Sequence, residues 1–199
     1  MPAKELLTPL MDELHSSART LRAINTIVLR DGRRVGLNTD AEAVRELCGE
    51  AAGQVALVLG TGGAARAAVA ALRALGCTVL VSGRDATRAG RLAAELGATA
   101  APWGERATLP FALLVNATPC GDDGRSNPIP AVASWAGRTV LDMVIAPASA
   151  PTPLVARVAA AGGRAVPGLR MWALQGARQI EALTGHRISV AEIEELLHD

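Results

Sequence analysis

The 199-residue chain is half hydrophobic yet has one Phe and no Tyr, so its core must be built mainly from Ala, Val and Leu. A net charge of +1 with both signs evenly spread excludes the electrostatic footprint of a nucleic-acid or anionic-membrane binder. No apolar run nears the roughly 18 residues of a membrane helix, and Glu5, Asp12 and Glu13 near the start argue against a signal peptide.

Cys48, Cys77 and Cys120 are odd in number and far apart, and His15, His186 and His198 form no metal pair. Free thiols in a reducing cytoplasm, with no metal site, are expected. The length suits one full domain and part of a second.

In chain order, Lys4 to Leu14 reads as a helix, with Thr8-Pro9 an alternative cap and first turn. Ala23–Leu29 and Arg33–Leu37 read as strands joined at Asp31-Gly32, a strong hairpin signal. Thr39 or Asp40 caps a helix reaching about Glu50. From Val55 the pattern alternates. Strands are expected at Val55–Gly60, Thr78–Ser82, Leu113–Asn116, Thr139–Val144 and Arg164–Val166. Helices are expected at Gly63–Leu75, Thr87–Leu96, Leu154–Ala161, Leu169–Leu183 and Val190–Leu197, with an ordered Pro-rich loop over Ala146–Pro153. Such alternation implies an α/β fold, a doubly wound parallel sheet with helices on both faces.

Val55 to Ala65 is the most informative stretch. An apolar run breaks at Gly60-Thr61-Gly62-Gly63-Ala64 and opens an alanine-rich helix, as in the first βαβ unit of a dinucleotide-binding fold. Gly60 permits the turn, Gly62 lets backbone approach a pyrophosphate, and the first-turn N–H groups hold the anion. Arg84, after the second strand, stands where an acidic residue would bind the ribose of NAD; an arginine suits the 2′-phosphate of NADP. Lys4 is the only lysine among otherwise arginine-only cations. A lysine amine can give up its proton where a guanidinium cannot, which marks Lys4 as an acid–base candidate.

Pro2-Ala3-Lys4-Glu5, Ala23-Ile24-Asn25-Thr26-Ile27, Gly36-Leu37-Asn38-Thr39-Asp40, Gly60 to Arg66, Asn116-Ala117-Thr118-Pro119 and Leu174-Gln175-Gly176 together resemble the shikimate dehydrogenase family, in order and across nearly the whole chain. The resemblance implies reduction of 3-dehydroshikimate to shikimate with NADPH, by a Rossmann-like domain and a smaller substrate domain that meet at a cleft. It implies that Lys4 and Asp40 are the catalytic pair, that Asn25 and Gln175 contact substrate, and that Arg88, Asn116 and Thr118 join Arg84 and the glycine turn at the cofactor. A quinate- or shikimate-type polyol dehydrogenase of the same family, or a non-catalytic dinucleotide-binding module, are the alternatives.

Departures from the family pattern are Gly83 for an asparagine, Asp85 for a threonine, and Ile145 where a tyrosine often stands near substrate. Residues 1–40 correspond to part of the substrate domain, with 186–199 packing back on it, and 41–185 to the NADP domain. The family carries further strands and a Ser-x-Ser motif ahead of its lysine. The expectation is therefore a truncated substrate domain with an open sheet edge, served by a homodimer or a partner chain.

Overall fold

The computed structural model describes residues 3–146 and 150–196. Its larger sheet has six parallel strands, β4 (Val55–Leu59), β5 (Thr78–Ser82), β6 (Thr99–Ala101), β7 (Leu113–Asn116), β8 (Thr139–Asp142) and β9 (Arg164–Val166). Their order is β6-β5-β4-β7-β8-β9, a doubly wound arrangement whose direction reverses between β4 and β7. Ligands of such sheets bind outside the strand ends at that reversal.

Alternate residues of the central strands enter two cores, as burial of both faces requires. On one face Ala56, Val58, Val81 and Val115 pack against α3 (Thr39–Leu47), α4 (Gly63–Ala74), α5 (Ala86–Leu96) and α7 (Gly168–Thr184). On the other, Leu57, Leu59, Leu114 and Val140 meet Phe111, Ile129, Trp135 and α6 (Pro153–Ala160). The buried face of α4 is mostly alanine, Ala65, Ala67, Ala68 and Ala71 beside Val69 and Leu72, and the small side chains let helix and sheet approach closely.

The smaller sheet has order β1-β3-β2, from β1 (Glu13–Leu14), β2 (Thr26–Arg30) and β3 (Arg33–Leu37). β2 and β3 are antiparallel, and Asp31 (φ 51°) and Gly32 (φ 75°) form the expected two-residue turn between them. β1 runs parallel to β3.

The structure corrects the expected Lys4–Leu14 helix. α1 covers only Ala3–Leu6, a 3₁₀ turn follows at Thr8–Leu10, and the chain then extends into β1. Pro9 has no N–H to continue a helix. Beyond it, the Asp12 carboxylate accepts from the Arg34 backbone N–H at 2.8 Å and from its guanidinium at 2.8 and 2.9 Å. These bonds draw the segment along β3 and hold the Asp12 carboxyl well below the usual carboxylate range.

Further short elements not expected are α2 (Ser16–Arg19), whose N-cap is His15, the edge strand β6, and a 3₁₀ turn at Trp103–Glu105. α3 also ends at Leu47, with a separate 3₁₀ turn over Gly49–Ala51. The expected loop over Ala146–Pro153 and helix over Val190–Leu197 partly fall on 147–149 and 197, outside the described residues.

The two sheets are joined by α3 and α7. A Cβ on Gly168 would lie 2.1 Å from the Val144 carbonyl oxygen, so only glycine lets α7 start against the end of β8. From there α7 packs along α3 and reaches β2. α8 (Val190–Leu196) lies on α7, where Ile193 meets Ala173 and Ala177.

Candidate active site

Lys4 and Asp40 come together across 36 positions of sequence: the Lys4 ammonium donates directly to Asp40 Oδ2. Both side chains are mostly covered, 19% and 12% exposed, so the pair is shielded from bulk water, where an exposed ion pair would be weak. The Ile24 N–H donates to the Lys4 carbonyl at 2.8 Å, fastening α1 to the small sheet. The lysine stem passes the first turn of α4, with Cδ 3.5 Å from where a Cβ on Gly63 would stand.

Asp40 is available because it does not cap its helix. The expected cap was Thr39 or Asp40; the observed N-cap is Asn38, whose side-chain oxygen accepts from Ala41 N–H at 3.1 Å. Asn38 Nδ2 also donates to the Ala23 carbonyl at 3.0 Å, tying α3 to the segment that carries Asn25. The two residues that follow are then free to face the cleft.

Thr39 links the two expected substrate amides. Its N–H donates to Asn25 Oδ1 at 3.0 Å, its hydroxyl donates to Gln175 Oε1 at 3.2 Å, and Asn25 Nδ2 donates to that hydroxyl at 3.0 Å. Sequence reasoning assigned Thr39 only a capping role. Its place between Asn38 and Asp40 gave no signal that it would bridge strand and helix. Lys4, Asn25, Asp40 and Gln175 line one cavity of about 510 Å³, whose other walls include Ala64, Met143, Ile145 and Trp172.

A second cavity, about 690 Å³, lies at the reversal point of the large sheet and is lined by Gly60, Thr61, Gly62, Arg84, Arg88 and Thr118 among others. Gly60 has φ 117°, and a Cβ there would stand 2.8 Å from the Ala117 carbonyl oxygen. Gly62 is the N-cap of α4 and has no side chain to cap it, so the first-turn N–H groups remain open to an anion. Nothing lies within 4 Å of a Cβ position on Gly62. An open cradle with two basic side chains beside it fits a dinucleotide phosphate.

Arg84 and Arg88 are exposed, and neither guanidinium has an ion pair among the described residues. Asp85 does not compete for them: it caps α5, accepting from Arg88 N–H at 3.0 Å. Gly83 has a local cause, since a Cβ there would meet Thr61 Cγ2 at 2.7 Å. Thr61 fills space that an asparagine would need.

Asn116 is placed beneath the loop that carries Thr118 and Cys120, wholly buried. Its Nδ2 donates to the Cys120 carbonyl at 3.1 Å and to Asp142 Oδ1 at 2.8 Å; its oxygen accepts from Thr118 Oγ1 at 2.7 Å and Thr118 N–H at 3.2 Å. All four of its hydrogen-bonding positions are spent, so it shapes the loop and leaves no polar atom for a ligand.

Asp142 was not singled out from sequence. It accepts from Thr152 Oγ1 at 2.5 Å and Val144 N–H at 3.2 Å. Burial pushes its carboxyl up, and the bonds from Thr152, Asn116 and Val144 hold it back. Ile145, half exposed, is on the wall of the first cavity and brings no hydrogen-bonding group to it.

The first turn of α4 stands between the two cavities: Gly60 to Gly62 face one and Ala64 the other. No helix among the described residues is long and apolar enough to cross a membrane.

No family model matches the chain. It is 36% identical over 208 residues to the shikimate dehydrogenase (NADP(+)) of Oleidesulfovibrio alaskensis, covering 100% of this chain and 74% of that protein. It is 40% identical over 205 residues to the corresponding protein of Paramagnetospirillum magneticum, covering 96% and 74%. Among solved structures, the shikimate 5-dehydrogenase of Thermus thermophilus in complex with NADP(H) and shikimate superposes with TM-score 0.84 at 34% identity, covering 99% of this chain and 76% of that one.

Proposed function

The chain belongs to the shikimate dehydrogenase family, and from that premise we propose how its residues carry out the NADP-dependent interconversion of 3-dehydroshikimate and shikimate. The observation that carries the reading is the Lys4–Asp40 pair, set in a cavity beside the first turn of α4.

NADPH, when bound, supplies the hydride that reduces the ring ketone. Lys4 Nζ donates a proton to the ketone oxygen as it gains alkoxide character, which gives the alcohol; in the oxidative direction Lys4 takes that proton back. Asp40 accepts from the ammonium and fixes its direction. Asn25, whose oxygen is already shared between Thr39 and Thr26, keeps one amide N–H for a ring hydroxyl, Gln175 keeps one donor and one acceptor position, and Thr39 keeps the two amides in register. At the cofactor, the N–H groups after Gly62 hold the pyrophosphate and Arg84 and Arg88 take the 2′-phosphate. Gly60, Thr61, Gly63 and Ala64 complete the turn, Thr118 faces the cofactor, and Asn116 holds the Thr118 loop in place.

Residues 41–185 form the NADP side. Residues 1–40 are assigned to the substrate side, and α8 packs on the first half of α7 through Ile193, Ala173 and Ala177 and the Glu194–Arg170 ion pair. The three free cysteines suit a reducing cytoplasm. Ile27 and Leu29, exposed on edge strand β2, support association through the small sheet, with a second copy or a partner chain. A strict monomer in sedimentation velocity would count against it.

The test of function is NADPH formation from NADP⁺ and shikimate, followed at 340 nm. Turnover with NADP⁺ that exceeds turnover with NAD⁺ supports the reading. A protein that binds NADP⁺ but neither binds nor oxidises shikimate would overturn it.

A further inference from the structure

We infer that Gln179, which none of the family landmarks includes, is a further substrate-binding residue and sets specificity at the end of the cavity farthest from the cofactor; the inference rests on the function proposed above. Trp172, Gln175 and Gln179 all line the cavity that holds Lys4 and Asp40. Their spacing of three and four places them in one stripe on α7.

The polar groups of that cavity are mostly spoken for. The Gln175 oxygen accepts from Thr39 and its Nε2 donates to the Trp172 carbonyl at 3.2 Å. Asn25 is bonded to Thr39 and Thr26, and Lys4 to Asp40. Gln179 is half-buried, and its amide makes no hydrogen bond among the described residues. It is a free donor and acceptor aligned with the catalytic cavity.

Position along α7 says which part of a ligand it meets. The helix starts against Val144, so Met143, Ile145 and Trp172 lie toward its beginning, on the cofactor side. Farther along, Gln175 bonds Thr39, next to Asp40, and Ala182 packs on the core of the small sheet. Gln179 lies between these last two, about 6 Å beyond Gln175 along the axis. That is about the span of a substituted six-membered ring. With Gln175 beside the reacting end, Gln179 reaches an oxygen on the far side of the ring.

The apolar walls of the cavity sharpen the point. Ile24, Ile27 and Leu7 line the same cavity and cannot satisfy a polar substituent, which is costly to bury unpaired. A ring that carries a hydroxyl or carboxylate oxygen there is accepted, and one with hydrogen at that position is disfavoured.

The experiment compares the full chain with Gln179→Leu and Gln179→Glu, measuring kcat, KM for shikimate and the shikimate Kd by titration with NADP⁺ present. For Gln179→Leu we expect KM and Kd for shikimate to rise about threefold to tenfold, the loss of one hydrogen bond. The expected kcat stays within twofold, with KM for NADP⁺ and the melting temperature unchanged. Gln179→Glu separates the two oxygens: a carboxylate partner makes it bind worse than the leucine variant, whereas a hydroxyl partner restores near-native binding. Unchanged KM and Kd in both variants would overturn the inference and leave the proposed function standing. A parent chain that neither binds nor oxidises shikimate would overturn both.

Discussion

The two sheets of this protein are held in different ways. The six-stranded sheet buries both faces, and its central strands contribute Leu57, Val58, Leu114 and Val115 with essentially no exposure. Among the described residues, the three-stranded sheet has a small core cluster of Val28, Val35 and Leu37 with Ala182 packed against it, while Ile27 and Leu29 on the other face of β2 are 40% and 75% exposed. The six-stranded half is stabilised by its own sandwich, whereas the three-stranded half is held in place by α3 and α7. The proposed mechanism needs both, because Lys4 comes from one half and the glycine turn beside it from the other.

The largest expected effect comes from breaking the joint. Gly168→Ala forces a methyl group into the Val144 carbonyl, and we expect a loss of about 3 kcal/mol or more, read as a fall in the denaturant midpoint with loss of turnover. Next is the cofactor end. Arg84→Ser removes a charge-assisted contact worth about 1.5–3 kcal/mol, so KM for NADP⁺ should rise about tenfold to a hundredfold while KM for NAD⁺ hardly moves. Equal effects on the two cofactors would remove Arg84 from 2′-phosphate recognition.

The loop network comes third. Asp142→Ala strands the Asn116 amide and the Thr152 hydroxyl, at about 1–3 kcal/mol for an unsatisfied buried group, measured by chemical denaturation. Asp142 also predicts a pH trend. Its folded pKa is raised, so the folded state holds this proton more tightly than the unfolded state does. That contribution to stability is complete below the ordinary carboxylate range and is lost as pH rises through the raised value. Asp142→Asn should remove this part of the melting-temperature profile. The smallest effect belongs to the open face: Leu29→Lys should change stability by no more than about 0.5 kcal/mol but reduce any self-association seen by sedimentation.

The six-stranded half was easier to read from sequence than the three-stranded half, for a physical reason. Its strands are continuous apolar runs, and the Gly60 turn has conformational demands that only glycine meets. β6 escaped notice because Thr99-Ala100-Ala101 carries little of the apolar signal of a buried strand. In the small sheet, the extended path after Pro9 depends on Asp12 meeting Arg34, 22 positions away, which no local pattern encodes. The identity of the α3 cap had the same character. Asn38, Thr39 and Asp40 are all good capping residues, and tertiary partners decide that Asn38 caps while the others turn to Asn25, Gln175 and Lys4. Gln179 looked like any polar residue on a helix until the fold brought its stripe to the Lys4 cavity.

The central claim is that Lys4, held by Asp40 at the meeting of the two halves, moves the proton. The most direct measurement is the single-turnover rate of NADPH formation from bound shikimate and NADP⁺ in the parent chain and Lys4→Ala, with the affinities for both ligands measured alongside. The account predicts a rate lower by about 10²–10⁴-fold, the usual worth of a positioned acid–base group, with both affinities little changed. A Lys4→Ala chain that turns over at the parent rate would contradict it.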